Sequence, residues 1–254
     1  MKRAILATAD LLAVVWRLLP GRLRLNLVTG LLVLDSRDPD PGQGLRRLLA
    51  IRDRLDLVTN ERAMAYGRGE HPKHRLTDYH RFFIDRIADG DRVLDVGCGY
   101  GAVARAIAHA HPNCTVTGID MDGPRLAQAR NSRNPDNLTF VEGDATRAVP
   151  EGGWHVVVLS NVLEHITDRV GFLRALASTT GAARLLIRVP LFERDWQMAL
   201  RRELGVDFRS DEDHKIEHTL AEFETEVEAA GLTIRERLTV WGEIWADCQA
   251  EVSP

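Results

Sequence analysis

Apolar positions along this chain fall into two rhythms that take turns. Short, mainly apolar runs occur at Val93 to Val96, Cys114 to Ile119, Leu138 to Val141, His155 to Leu159 and Ala183 to Val189. Such runs suit strands buried on both faces. Between and after them, Ala102 to His109, Val170 to Ala177 and Leu220 to Ala230 carry helical spacing, the last closed by Gly231. Leu232 to Val240 and Glu243 to Cys248 form a closing antiparallel hairpin across Trp241-Gly242. Strands alternating with helices predict an α/β fold around a mostly parallel sheet with helices on both faces. Upstream, Leu45 to Val58 repeats Leu45, Leu48, Leu49 and Leu55 at helical spacing, and Leu76 to Ala88 predicts a helix with Tyr79, Phe82, Phe83 and Ile87 on one side. Loops at Asp38 to Gly42 and Gly67 to Pro72 break the chain. The expected organisation is a helical N-terminal appendage over 1–70 and an α/β domain over 71–254. That domain carries a lid insert at about 190–217, where Pro190 to Glu217 interrupts the alternation.

The first strand carries the chemistry. Val93-Leu94-Asp95-Val96-Gly97-Cys98-Gly99-Tyr100-Gly101 is a strand running through a glycine-rich turn into a helix start. Glycines let a ligand approach the backbone, and the helix start offers unpaired N–H groups. A dinucleotide fingerprint is spaced G-x-G-x-x-G; here the third glycine comes one residue early, and Asp95 stands just ahead of the turn. A carboxylate there repels a pyrophosphate and suits a cationic ligand. The chain contains no G-x-x-x-x-G-K-[ST] phosphate loop. Asp120, at the tip of the second strand, can accept from both ribose hydroxyls; Met121 beside it can pack on an adenine face, and Asp144, after the third strand, can accept from an adenine amino group.

With those residues in place, the chain resembles the class I S-adenosylmethionine-dependent methyltransferases, and most of all the small-molecule subgroup typified by the ubiquinone/menaquinone-biosynthesis methyltransferases. Four motifs carry the resemblance in order and spacing: VLDVGCGYG, GIDMD, EGDAT and the strand closing in SNVLEHI. It covers roughly Tyr79 to the C-terminus. It implies a Rossmann-like seven-stranded sheet of order 3-2-1-4-5-7-6, with S-adenosyl-L-methionine as cofactor and S-adenosyl-L-homocysteine as product. It also implies that Asp95, Gly97, Cys98, Gly99 and Gly101 line the methionine part, Asp120 binds ribose, and Met121 flanks adenine. Asp144 with Ala145 would hold the adenine edge, and Ser160 and Asn161 would face the sulfonium.

Methyl transfer from a sulfonium needs alignment above all, and a neutral hydroxyl acceptor also needs a base. His165, after the fourth strand, and His80, on the helix before the first, are the candidate bases. Tyr79, Trp196, Arg201, His214 and His218 are candidate substrate contacts. The grouping Asp211, Asp213, His214 and His218 shows no clear metal-ligand spacing, so the expectation there is a solvated lid loop and no metal.

Composition bounds the partners. The 254 residues carry a formal charge of −4, which gives no nucleic-acid field, and no N/D-P-P-Y/F-type turn follows the fourth strand. A small-molecule acceptor is therefore expected, most of all for O-methylation in specialised-metabolite or cell-surface glycan or lipid biosynthesis; the alternatives are an RNA or protein methyltransferase and a non-catalytic cofactor-binding subunit. Three cysteines without metal spacing fit a cytoplasmic protein. Ala4 to Trp16 and Leu25 to Leu34 are apolar but too short to span a bilayer. Five basic side chains against one acidic flank them within residues 1–34. Two readings stand for this segment: a helix that caps the domain or forms a homodimer contact, and weak reversible contact with an anionic membrane surface.

Overall fold

The computed structural model describes residues 12–68 and 71–250. The chain divides into two compact units: Met1–Gly69 with Arg201–Val206, and Glu70–Leu200 with Asp207–Pro254.

The larger unit is built on a seven-stranded sheet. Its strands are β1 (Arg92–Val96), β2 (Thr115–Asp120), β3 (Leu138–Glu142), β4 (Val156–Ser160), β5 (Arg184–Pro190), β6 (Leu232–Val240) and β7 (Glu243–Ala250). They lie in the order β3-β2-β1-β4-β5-β7-β6. The first five pair in parallel, and β7 pairs antiparallel with both β5 and β6. The expected order is thus the observed one.

Alternation along the central strands divides the core in two. Leu94, Val96, Val157, Leu159, Leu185 and Ile187 face the helices Arg169–Thr180 and Leu220–Ala229, which contribute Phe172, Leu173, Leu176, Phe223 and Val227. Val93, Val156, Val158, Leu186 and Trp245 face the other way, onto Phe82, Phe83, Val103, Ala104 and Ile107. The hairpin between β6 and β7 turns at Trp241 and Gly242, both in the left-handed conformation (φ 56° and 75°) that a type I′ turn requires.

The helix expected over Leu76 to Ala88 is not continuous. Lys73–Thr77 and His80–Ile84 are separate short helices. Asp78 between them takes a left-handed conformation (φ 46°), which ends the first and redirects the chain before Tyr79.

The smaller unit is helical. Residues 12–18 form helix, followed by Gly21–Ser36 and Pro41–Tyr66. Asp40 caps the last of these by accepting from the Gly42 N–H at 2.9 Å, with Pro41 in the first helical position. Within this unit Arg201 pairs with Asp53 at 2.6 Å. The helix Gly21–Ser36 has no buried residue. The first part of the apolar stretch Ala4 to Trp16 lies outside the described residues.

Candidate active site

Parallel strands bring their carboxyl ends to one edge, and the order of this sheet reverses between β1 and β4, where a crevice opens. Gly97 and Cys98 leave β1 with both N–H groups bonded to the Ile119 carbonyl, at 2.8 and 3.1 Å. The turn requires glycine at two places. Gly97 has φ 66° and Gly101 has φ 72°; an added Cβ would stand 2.6 Å from the Val162 Cγ2 methyl and 2.5 Å from the Phe140 ring, respectively. Asp95 lies beneath the turn, 1% exposed, its carboxylate accepting from the Ala104 N–H at 3.1 Å. Burial raises its pKa to about 7, against the Ala104 hydrogen bond, which lowers it.

Neighbouring strand ends complete the edge. Asp120 accepts from the Gly99 N–H at 2.7 Å through one oxygen and from the Asp122 N–H at 2.8 Å through the other. Met121 is largely exposed. Asp144 accepts from the Thr146 hydroxyl at 2.6 Å and its N–H at 3.0 Å, and those bonds lower its pKa. After β4, Asn161 is held in a left-handed conformation (φ 58°), and its Oδ1 is buried with no hydrogen-bond partner among the described residues. Ser160 Oγ accepts weakly from Arg188 at 3.4 Å.

Two adjoining cavities lie along this edge and share Gly97, Arg125, Asn161 and His165 in their walls. The smaller, about 360 Å³, is lined by Asp120, Met121, Asp144 and Ala145. The larger, about 660 Å³, has Asp95 and Cys98 at one side and Tyr79, Arg188, His214 and Glu243 at another. Arg188 comes from the buried strand β5. Its guanidinium bonds the Glu243 carboxylate at 2.8 Å and lies 4.4 Å from the Tyr79 ring centroid and 4.8 Å from that of Trp245.

The pattern of strand order, glycine turn and strand-end carboxylates is matched in known proteins. Residues 93–181 match the family described as "Methyltransferase domain". This domain belongs to the class I S-adenosylmethionine-dependent methyltransferases. The ubiquinone biosynthesis O-methyltransferase of Vibrio parahaemolyticus is 32% identical over 114 residues, 42% of this chain and 48% of that protein. The ribosomal RNA small subunit methyltransferase A of Novosphingobium aromaticivorans is 42% identical over 86 residues, 29% of this chain and 30% of that protein. The chain therefore spans less than half the length of these curated relatives. The magnesium protoporphyrin IX methyltransferase of Synechocystis, solved with bound S-adenosylhomocysteine, superposes with a TM-score of 0.55 at 16% identity, covering 70% of this chain and 83% of that one. At that identity the likeness speaks to the fold alone.

The residues of the methyltransferase domain fit the cofactor this family uses. An ammonium needs hydrogen-bond acceptors and a sulfonium needs negative or partial negative charge near it; the shared wall offers the unpartnered Asn161 Oδ1, with the Asp95 carboxyl behind the glycine turn. Asp120 keeps lone pairs beyond its two bonds, at the cavity that also holds Asp144 and Met121.

The candidates from the sequence separate in space. Tyr79, His165 and His214 line the larger cavity. His80 lines neither; it is half-buried, with its Nε2 lacking a partner among the described residues, and burial with the nearby His74 and Arg188 charges drives its pKa down to about 4. Trp196 is 72% exposed and lines neither cavity. Arg201 belongs to the other compact unit. His218 is fully buried, with Nε2 held by Glu226 at 3.0 Å. The expected solvated loop is wet only in part: Asp211 and Asp213 are exposed, but His214 is buried, its Nδ1 2.9 Å from the buried Glu217 carboxylate.

Arg188, Glu243 and Glu217 were not singled out from the sequence. Arg188 had one available signal, a charge inside the apolar run of β5, where an unpaired cation does not survive. Glu164 is another buried acid. It sits in a 3₁₀ turn, Leu163–His165, fully buried, and burial raises its pKa to about 7.

Proposed function

We propose that the protein transfers the methyl group of S-adenosyl-L-methionine to an oxygen of a small-molecule acceptor, releasing S-adenosyl-L-homocysteine. The observation that carries this reading is the pair of adjoining cavities at the β1/β4 switch, sharing the Gly97–Asn161 wall. When bound, the cofactor supplies an electrophilic methyl group on a positively charged sulfur. In this reading the smaller cavity takes the adenosine: Asp120 accepts from the ribose hydroxyls, Met121 flanks the adenine, and Asp144 with Ala145 meets its edge. Asn161, Ser160 and the turn Gly97–Cys98–Gly99–Gly101 hold the methionine part, with Asp95 behind them. The remainder of the larger cavity receives the acceptor against Tyr79 and Arg188.

Positioning is the main contribution these residues make, and proximity accounts for about 7–11 kcal/mol in such reactions. His165 stands in the wall common to both cavities, where a proton leaves an acceptor hydroxyl. Its Nδ1 lies 3.2 Å from Asp213, and burial lowers its pKa, leaving the ring neutral and able to accept that proton. His80 has the low pKa but not the place.

Calorimetry of the full-length protein with S-adenosylmethionine, S-adenosylhomocysteine and NAD tests the cofactor reading: binding of the first two and not the third is expected, and NAD binding alone overturns it. The 42% identity over 86 residues to a ribosomal RNA methyltransferase supports a second reading, methylation of RNA. Transfer of labelled methyl groups into ribosomal RNA, and not into small-molecule extracts, would replace the first reading with the second. We further assign the exposed N-terminal helices to reversible contact of a cytoplasmic protein with an anionic membrane surface.

A further inference from the structure

We propose that Glu164, His165 and His214 bind a divalent transition-metal ion beside the larger cavity. The sequence gives little reason to group them, since His214 comes from the segment after β5 and the other two follow β4. The structure brings one ligand atom of each to within 4.8 Å of the others. An ion with ligand bonds of about 2.0–2.2 Å would draw them in by roughly an ångström.

Three observations point to an ion. Glu164 is 0% exposed, and neither of its carboxylate oxygens has a hydrogen-bond partner among the described residues. A buried carboxylate in that condition is costly, and a cation is the partner it lacks. Next, both imidazoles are oriented by carboxylates through Nδ1: His214 by the buried Glu217 at 2.9 Å and His165 by Asp213 at 3.2 Å. A carboxylate behind the ring fixes the tautomer that leaves the Nε2 lone pair for a metal, which is the usual support for a ligating histidine. Finally, the Lys215 N–H donates to the Glu164 backbone carbonyl at 2.7 Å, which ties the two segments together next to His214.

Two imidazoles and one carboxylate favour manganese, iron, cobalt or zinc over magnesium or calcium, which prefer all-oxygen shells. Three protein ligands leave coordination positions open, and His165 and His214 both line the cavity. With the His165 Nε2 lone pair taken by the ion, the ring no longer serves as the base; an acceptor hydroxyl bound to the ion would instead lose its proton more readily. That consequence rests on the proposed function; binding of the ion does not.

The test uses the full-length protein, treated with a chelator and then titrated with Mn(II) by loss of the free-ion electron paramagnetic resonance signal, and with Zn(II) by calorimetry. One ion per chain is expected. Glu164→Gln, which is nearly isosteric and removes a buried charge, should weaken binding by about 100-fold or more, and Glu217→Gln by about 10–100-fold through loss of the His214 support. Thermal melting of each variant without metal confirms that it is folded, and a metal-induced rise in Tm should appear in the parent and vanish in Glu164→Gln. The proposal is overturned if the parent binds neither ion more tightly than about 1 mM. It is equally overturned if folded Glu164→Gln and His214→Ala bind as the parent does, which would place the ion on the exposed pair Asp211 and Asp213. Because the readout is the ion itself, a failure of methyl transfer leaves this result intact.

Discussion

Asp95 is a carboxyl group kept from water, with one backbone donor at Ala104 and the like charge of Asp120 nearby. Its pKa of about 7 stands above the ordinary aspartate value of 3.8, chiefly through burial. A raised acid binds its proton more firmly in the folded chain than in the unfolded one. Its contribution to stability is therefore complete below about pH 4 and lost as the pH rises through about 7. At about 1.4 kcal/mol per unit, the amount at stake is on the order of a few kcal/mol. Denaturation of the cofactor-free protein from pH 5 to 8 should show Asp95→Asn losing less stability with rising pH than the parent; parallel curves would refute the assignment. A cationic ligand favours the ionised carboxylate, so cofactor binding near neutral pH should release a proton, seen as a buffer-dependent binding enthalpy. Asp95 was legible in the sequence because its place is local, two residues before a glycine turn. The state of its proton was not, because that depends on what Val103, Ala104 and the β2 end cover.

At the scale of elements, β5 and β7 are joined across their ladder by Arg188 and Glu243. Arg188→Met keeps the apolar stem and leaves the Glu243 carboxylate, 18% exposed, without its partner. A loss of about 1–3 kcal/mol in urea denaturation at unchanged m-value is expected. The double variant with Glu243→Met should recover much of it, since replacing both members of a buried pair by apolar groups is close to neutral. The central strands β1, β4 and β5 were plain in the sequence, because strands covered on both faces are mainly apolar runs. The segment before β1 was not, because one left-handed residue, Asp78, divides a pattern that periodicity alone draws as a single helix. The pairing of Arg188 with Glu243 depends on which distant segments become neighbours, and no local spacing encodes that; Glu217 and His214 are only three residues apart, but their burial together against the turn after β4 is equally set by distant segments.

At the scale of the molecule, residues 12–34 present Leu12, Val15, Leu18, Leu25, Leu31 and Leu34 to solvent, and their charges are Arg17, Arg22 and Arg24 alone. Among the described residues no helix is long and apolar enough to cross a membrane. Lying in the headgroup region suits such a segment, with about 1 kcal/mol per arginine near an anionic surface. The full-length protein should float with vesicles containing phosphatidylserine and stay behind with neutral ones, and glutamates at positions 17, 22 and 24 should abolish flotation. If flotation fails and sedimentation gives a dimer, the same leucines belong to an interface between copies. The order of the sheet bears finally on how the chain is made. Of the seven strands of this sheet β7 is synthesised last, yet it lies inside the sheet, between β5 and β6. Until Glu243–Ala250 emerges, β5 keeps an open edge beside Leu185, Leu186 and Ile187, and Trp245 has no place to pack. Such edges recruit other chains. The nascent sheet thus waits on β7, and slow synthesis over those residues would lengthen the time in which it can aggregate.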